Sequence, residues 1–255
     1  MLAKFTKKCF RAVGLEISRS TQPHREYPVE ISLEERLILD DVLDNNLTLV
    51  GLRRLTTTLL ACKFVLEHSI DGDFVECGVW RGGNALVAAA MFKLYASDKQ
   101  VWLFDTFKGM TAPTDIDELH RGKKKVMVRY TEHQKDGFNE WCYSPIEDVK
   151  QEFRVRGLLS EKINFIQGDV AQTLRQASLP KKISVLRLDT DWYESTKIEC
   201  QILYPKLSRG GVFLVDDYGV WEGARFAVDE YFETKATRPF FHCSDFAGRS
   251  AQKLF

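Results

Sequence analysis

The feature that most constrains this chain is a repeated boundary. Short, apolar, strand-forming runs stop at an acidic residue or a glycine and give way to a helical pattern. The runs cover 73–77, 100–104, 163–166, 183–188 and 212–215, and their ends carry Glu76, Asp105, Asp169, Asp189 and Asp216. Strands that alternate with helices build a parallel sheet with helices on both faces. Ligands of such α/β sheets bind beyond the carboxyl ends of the strands. The acidic residues therefore converge where a ligand would sit. Carboxylates gathered at one edge repel one another unless a cation or a polyhydroxyl ligand joins them.

Composition narrows the partners. The chain has 255 residues, 44% hydrophobic and 28% charged, enough for one sizeable α/β domain. Its 36 basic residues cancel its 36 acidic ones, so no nucleic-acid partner is expected. The cysteines form no C-x-x-C pair, which fits reduced thiols in a cytoplasmic protein. No apolar run reaches the length of a membrane span, and no continuous apolar segment marks a cleavable signal. Residues 1–30 read as a basic amphipathic segment and linker ahead of a domain over 31–255. In that segment Leu2, Phe5, Cys9, Phe10 and Val13 recur at helical spacing opposite lysines. Residues 1–20 suit peripheral contact with the anionic inner face of a membrane. The competing reading is a helix packed on the domain or on a second subunit, and a homo-oligomer is expected. Ser32 with Glu35 forms a capping box that opens a helix. Further helices are predicted over 52–68, 84–95, 145–157 and 223–232. One more follows Asp169, and another runs to Leu207 and stops at Gly210. Two short strands close the chain. The polar segment 106–143 lacks periodicity and reads as a lid inserted after a strand end.

Three motifs carry chemistry. Glu76-Cys77-Gly78-Val79-Trp80-Arg81-Gly82-Gly83 joins the first strand to its helix. It is neither a Walker A sequence nor G-x-G-x-x-G, and an acidic residue before a glycine turn suits a cationic ligand rather than a phosphate. Asp105 ends the second strand, where a carboxylate accepts ribose hydroxyls, with Thr106 beside it. Asp189, Asp191, Asp216 and Asp217 lie at two strand ends, and an all-oxygen set suits Mg²⁺, Ca²⁺ or Mn²⁺. Asp189, Asp216 and Asp217 are expected to hold the metal. Asp191, two residues past Asp189, is expected to point beyond it as a general base. His120 and His133, in the lid, are the alternative bases. Trp80, Trp141, Trp192 and Trp221 lie near strand-end loops, where rim packing competes with stacking on a ligand.

These motifs resemble the macrocin O-methyltransferase (TylF-type) family. The resemblance is carried by D-F-V-E-C-G-V-W-R-G-G at 73–83 and V-W-L-F-D-T-F-K-G-M at 101–110. It continues in L-R-L-D-T-D-W-Y-E-S-T at 186–196 and L-Y-P-K-L-S-R-G-G-V-F-L-V-D-D-Y-G at 203–219. It implies a Rossmann-like class I methyltransferase sheet of about seven strands, mostly parallel, with an antiparallel C-terminal strand. It also implies S-adenosylmethionine as cofactor, Mg²⁺, and a sugar hydroxyl as acceptor. Glu76 and Gly78 would border the methionine part, Asp105 the ribose, and Gly168 and Asp169 the adenine. Arg81, Thr106 and Asp189 join the cofactor set by their place in the motifs. The alternatives are a catechol-like phenol as acceptor, a nicotinamide-dependent sugar enzyme, and a catalytically silent scaffold. The missing G-x-G-x-x-G disfavours the second, and the complete carboxylate set disfavours the third.

Overall fold

A computed structural model describes residues 25–117, 126–176 and 178–254. His120 and the basic stretch 1–20 lie outside them, as do the expectations placed there. The chain divides into two units, residues 1–36 and 37–255. In the described part of the first, the Ser32 N–H donates to Glu35 Oε2 at 2.7 Å and the Glu35 N–H to Ser32 Oγ at 3.3 Å. This reciprocal capping box opens α1 (Leu33–Asp44) where the sequence places it.

The second unit is built on a seven-stranded sheet. Its strands are β1 (Asp73–Cys77), β2 (Val101–Asp105), β3 (Ile163–Gln167), β4 (Ile183–Leu188), β5 (Leu207–Val215), β6 (His242–Cys243) and β7 (Arg249–Gln252). They lie in the order β3-β2-β1-β4-β5-β7-β6. The first five pair in parallel, and β7 runs antiparallel to both β5 and β6. Helices α2 (Leu52–Glu67), α3 (Gly83–Leu94), α4 (Val126–Glu132), α5 (Ile146–Val155), α6 (Val170–Gln176), α7 (Tyr193–Ile202) and α8 (Glu222–Glu233) complete it. The strand order reverses between β2-β1 and β4-β5, so a crevice opens at the carboxyl ends of β1 and β4. Alternation places Val75, Cys77, Leu186, Leu188, Phe213 and Val215 on one face, in a core with Ile198 of α7 and Val228 and Phe232 of α8. Glu76, Arg187 and Leu214, which are register partners, therefore share the opposite face.

Two expectations need correction. The helix before β5 ends at Ile202 rather than Leu207, and β5 begins at Leu207 rather than Val212. Pro205 lacks the N–H that an α-helix needs, and a 3₁₀ turn over Tyr204–Lys206 delivers the chain into the strand. The segment 106–143 is also more structured than its composition suggests. It contains α4, and its described parts are pinned to the sheet end. The buried Asp117 carboxylate accepts the Tyr193 N–H at 2.7 Å and the Thr114 N–H at 2.8 Å. The Trp192 indole N–H donates to the Thr111 carbonyl at 2.9 Å.

Candidate active site

A cavity of about 320 Å³ occupies the crevice beyond β1, β2, β4 and β5. Gly78 forms its floor with φ at 81°, and a Cβ there would run into the carbonyl oxygen of Asp189. The β1 turn and the β4 end thus touch backbone to backbone, which only glycine allows. Asp105 lines the cavity and also ties this turn. Its Oδ2 accepts the Val79 N–H at 2.6 Å and the Trp80 N–H at 3.2 Å, and its Oδ1 accepts the Phe107 N–H at 2.7 Å. Burial raises its pKa despite those donors. Thr106, Gly168 and Asp169 line the same cavity. The Gly168 N–H donates to the Asp105 carbonyl at 2.9 Å, so β2 and β3 deliver them together.

The carboxylates sort into two groups around a cation that the motif reading overlooked. Arg187, 3% exposed, donates to Glu76 Oε1 at 2.8 Å, Asp189 Oδ2 at 2.6 Å and Asp216 Oδ1 at 2.5 Å. Burial works against its charge, and the three carboxylates more than offset that, raising its pKa. Asp216 is gripped from its other side by Arg54 of α2, which also pairs with Asp245 at 3.0 Å. The second group is Asp189, Asp191 and Asp217, which offer oxygens within 4.8 Å of one another. Burial pushes Asp189 up to about 7 and Asp191 to about 8, and lifts Asp217 well above the usual carboxylate range. Asp217 Oδ2 is buried without a hydrogen-bond partner. A divalent cation fits this set, because it would supply the missing partner and remove the repulsion that burial intensifies. Asp191 stands in the left-handed region at φ 68°, uncommon for a residue with a side chain and a frequent mark of functional constraint.

Several expected site residues have protein partners of their own. Asp216, expected as a metal ligand, lies beside Asp189 and is also held by Arg54 and Arg187. Glu76, expected beside the cofactor, is 1% exposed under the cavity and neutralises Arg187. Arg81, grouped with the cofactor residues, turns away to the Asn46 carbonyl at 3.0 Å and towards Glu152 at 3.9 Å. His133 closes α4, with its Nδ1 2.8 Å from the Arg129 carbonyl, and is not among the cavity-lining residues. Asn84 and Arg129, which the motif reading did not single out, also line the cavity. Asn84 at the start of α3 accepts the Thr58 hydroxyl at 2.8 Å. Trp141, Trp192 and Trp221 form a mutual cluster with ring centroids 5.1–6.0 Å apart, and Arg129 lies over Trp141. A lone arginine in the otherwise uncharged strand β4 was a signal, since buried arginine requires acidic partners.

Comparison with known proteins gives concordant matches. The family model described as Macrocin-O-methyltransferase (TylF) matches residues 4–247. Demethyldecarbamoylnovobiocin O-methyltransferase of Streptomyces niveus is 33% identical over 216 residues, 84% of this chain and 77% of that protein. A tetracenomycin-C 4'-O-methyltransferase of Streptomyces olivaceus, named for its dimethoxy-rhamnosyl substrate, is 34% identical over 206 residues, 80% of this chain and 75% of that one. The solved structure of the O-methyltransferase NovP superposes with a TM-score of 0.77 at 26% identity, covering 89% of this chain and 100% of that chain.

Proposed function

The chain belongs to the macrocin O-methyltransferase (TylF) family of S-adenosylmethionine-dependent O-methyltransferases, and from that premise we propose that it methylates a sugar hydroxyl of a glycosylated metabolite with the help of Mg²⁺. The grouping of Asp189, Asp191 and Asp217 at the cavity carries this reading. The name of the Streptomyces olivaceus relative supports it, since its substrate carries a dimethoxy-rhamnosyl group. In this proposal Gly78 admits the methionine end of the cofactor, Asp105 and Thr106 meet the ribose, and Gly168 and Asp169 border the adenine.

Asp189 and Asp217 hold the metal. When bound, the ion would supply the positive charge that lowers the pKa of a nearby hydroxyl. Asp191 accepts the hydroxyl proton as the oxygen attacks the methyl carbon. The methyl–sulfur bond breaks, sulfur keeps the electron pair, and S-adenosylhomocysteine leaves. Burial strengthens Asp191 as a proton acceptor, because it disfavours the charged carboxylate. Arg187 keeps Asp189 oriented, and the edges of Trp141 and Trp221 give the cavity an apolar wall.

The 4.8 Å grouping also favours a second role for Asp191, as a third metal ligand. One set of rates separates the two. Labelled methyl transfer to a panel of glycosides should occur with Mg²⁺ and vanish in EDTA. Asp191→Asn should lose about 10²–10⁴-fold in turnover at every Mg²⁺ concentration if it is the base. Rescue by excess Mg²⁺ would make it a ligand. No metal-dependent transfer to any glycoside would reject the proposal.

A further inference from the structure

The cavity wall nearest the tryptophan cluster carries a cation with no assigned task. Arg129, on α4, places its guanidinium 4.0 Å from the centroid of the Trp141 ring. Trp141 is 6% exposed and is boxed by Trp192 at 5.6 Å and Trp221 at 6.0 Å. The guanidinium is thus held over a buried ring before any ligand arrives. Among the described residues no carboxylate lies within ion-pair distance of it. The other arginine lining the cavity, Arg54, is engaged by Asp216 and Asp245. Yet the same cavity is lined by Asp105, Asp169, Asp189, Asp191 and Asp217. A wall this acidic would repel an anionic acceptor unless a dedicated cation received it.

The location matters as much as the charge. Trp192 follows Asp191 directly in the chain, and Trp221 closes the loop that begins at Asp217. The ring cluster therefore links the loops of the reacting carboxylates to Arg129. A sugar with one hydroxyl at Asp191 would occupy the cavity that Arg129 also lines. A fixed guanidinium edge offers paired N–H donors, which match the two oxygens of a carboxylate or phosphate.

We propose that Arg129 binds an oxyanion, a carboxylate or a phosphate, carried by the acceptor sugar away from the hydroxyl that is methylated. This rests on reading the cavity as the methyl-transfer site. It makes the acceptor an acidic or phosphorylated sugar rather than a neutral glycoside.

The test needs no turnover, so its failure is distinct from failure of the methyl-transfer reading. Full-length wild type and Arg129→Gln are saturated with S-adenosylhomocysteine in EDTA. Each is titrated with inorganic phosphate, glucuronate and methyl glucoside while tryptophan emission is followed. Wild type should bind at least one anion saturably, and Arg129→Gln should bind it about tenfold more weakly or worse, as expected for a lost charge-assisted pair. The anion that binds more tightly identifies the source of the charge. Methyl glucoside should not distinguish the two proteins. No saturable anion binding in wild type would overturn the proposal, as would equal anion affinity in both proteins. A loss of S-adenosylhomocysteine affinity with anion binding unchanged would also overturn it, and would assign Arg129 to the cofactor's carboxylate.

Discussion

Gly78 is where the β1 turn and the β4 end meet, with its Cα against the Asp189 carbonyl. A methyl group added there meets both a left-handed backbone and a fixed oxygen. Gly78→Ala should cost about 2–4 kcal/mol, the sum of a strained φ and local overpacking. Urea unfolding of the ligand-free protein would show it as a lower midpoint with an unchanged slope, and a loss below about 1 kcal/mol would mean that the turn relaxes freely. Asp105 makes a second residue-scale forecast. The sequence points to it as a ribose acceptor, whereas the structure also loads it with three backbone N–H groups. Asp105→Ala should therefore lower stability by about 1–3 kcal/mol even without cofactor, besides weakening cofactor binding. An unchanged melting temperature paired with weakened binding would leave Asp105 with the ribose role alone.

At the scale of elements, β4 is the strand that organises the carboxylates. Burial pushes Glu76 up to about 8 and both Asp189 and Asp216 to about 7, even with Arg187 among them. A carboxyl whose folded pKa lies above its unfolded value, about 4, adds no penalty below pH 4. It becomes a growing penalty as pH rises towards the folded value. Removing Arg187 raises those folded values further and widens the window. Arg187→Met should thus lose little at pH 5 and about 3–5 kcal/mol at pH 8, the cost of stranding buried charges. Urea midpoints at both pH values in EDTA would test this, and an equal loss at each would contradict it. This network also marks where sequence reading stops. β1 and β4 were legible to the residue, because apolar runs ended by glycine or acid are unambiguous. Arg187 was visible in L-R-L-D, but alternation assigns it a face and not the register that sets it beside Glu76. The pairing of Asp216 with Arg54 spans 162 positions, and no local pattern reports it. The start of β5 was missed because Ser208, Arg209 and Gly210 do not read as strand. Helix α4 was missed because four of its seven residues are polar and so mask its apolar positions.

For the whole molecule, the proposed function divides one cavity between a cofactor on the β1–β3 side and a metal at the acidic cluster on the β4–β5 side. Anything that binds only the folded chain raises its stability by an amount set by concentration over Kd, about 2.7 kcal/mol at a hundredfold excess. S-adenosylhomocysteine and Mg²⁺ should therefore each raise the melting temperature, and the increments should be separable by variant. Asp217→Asn keeps the turn at Gly78 and the Asp105 donors intact, so it should retain the S-adenosylhomocysteine increment. It removes the carboxylate whose Oδ2 is buried without a partner, so the Mg²⁺ increment should largely vanish. Asp217→Asn should also start from a higher ligand-free melting temperature in EDTA, because it deletes one of three crowded, buried acids. A Mg²⁺ increment that survives in Asp217→Asn would move the ion to other oxygens. Gain of both increments by wild type, with loss of only the second by the variant, would place the ion where these aspartates converge.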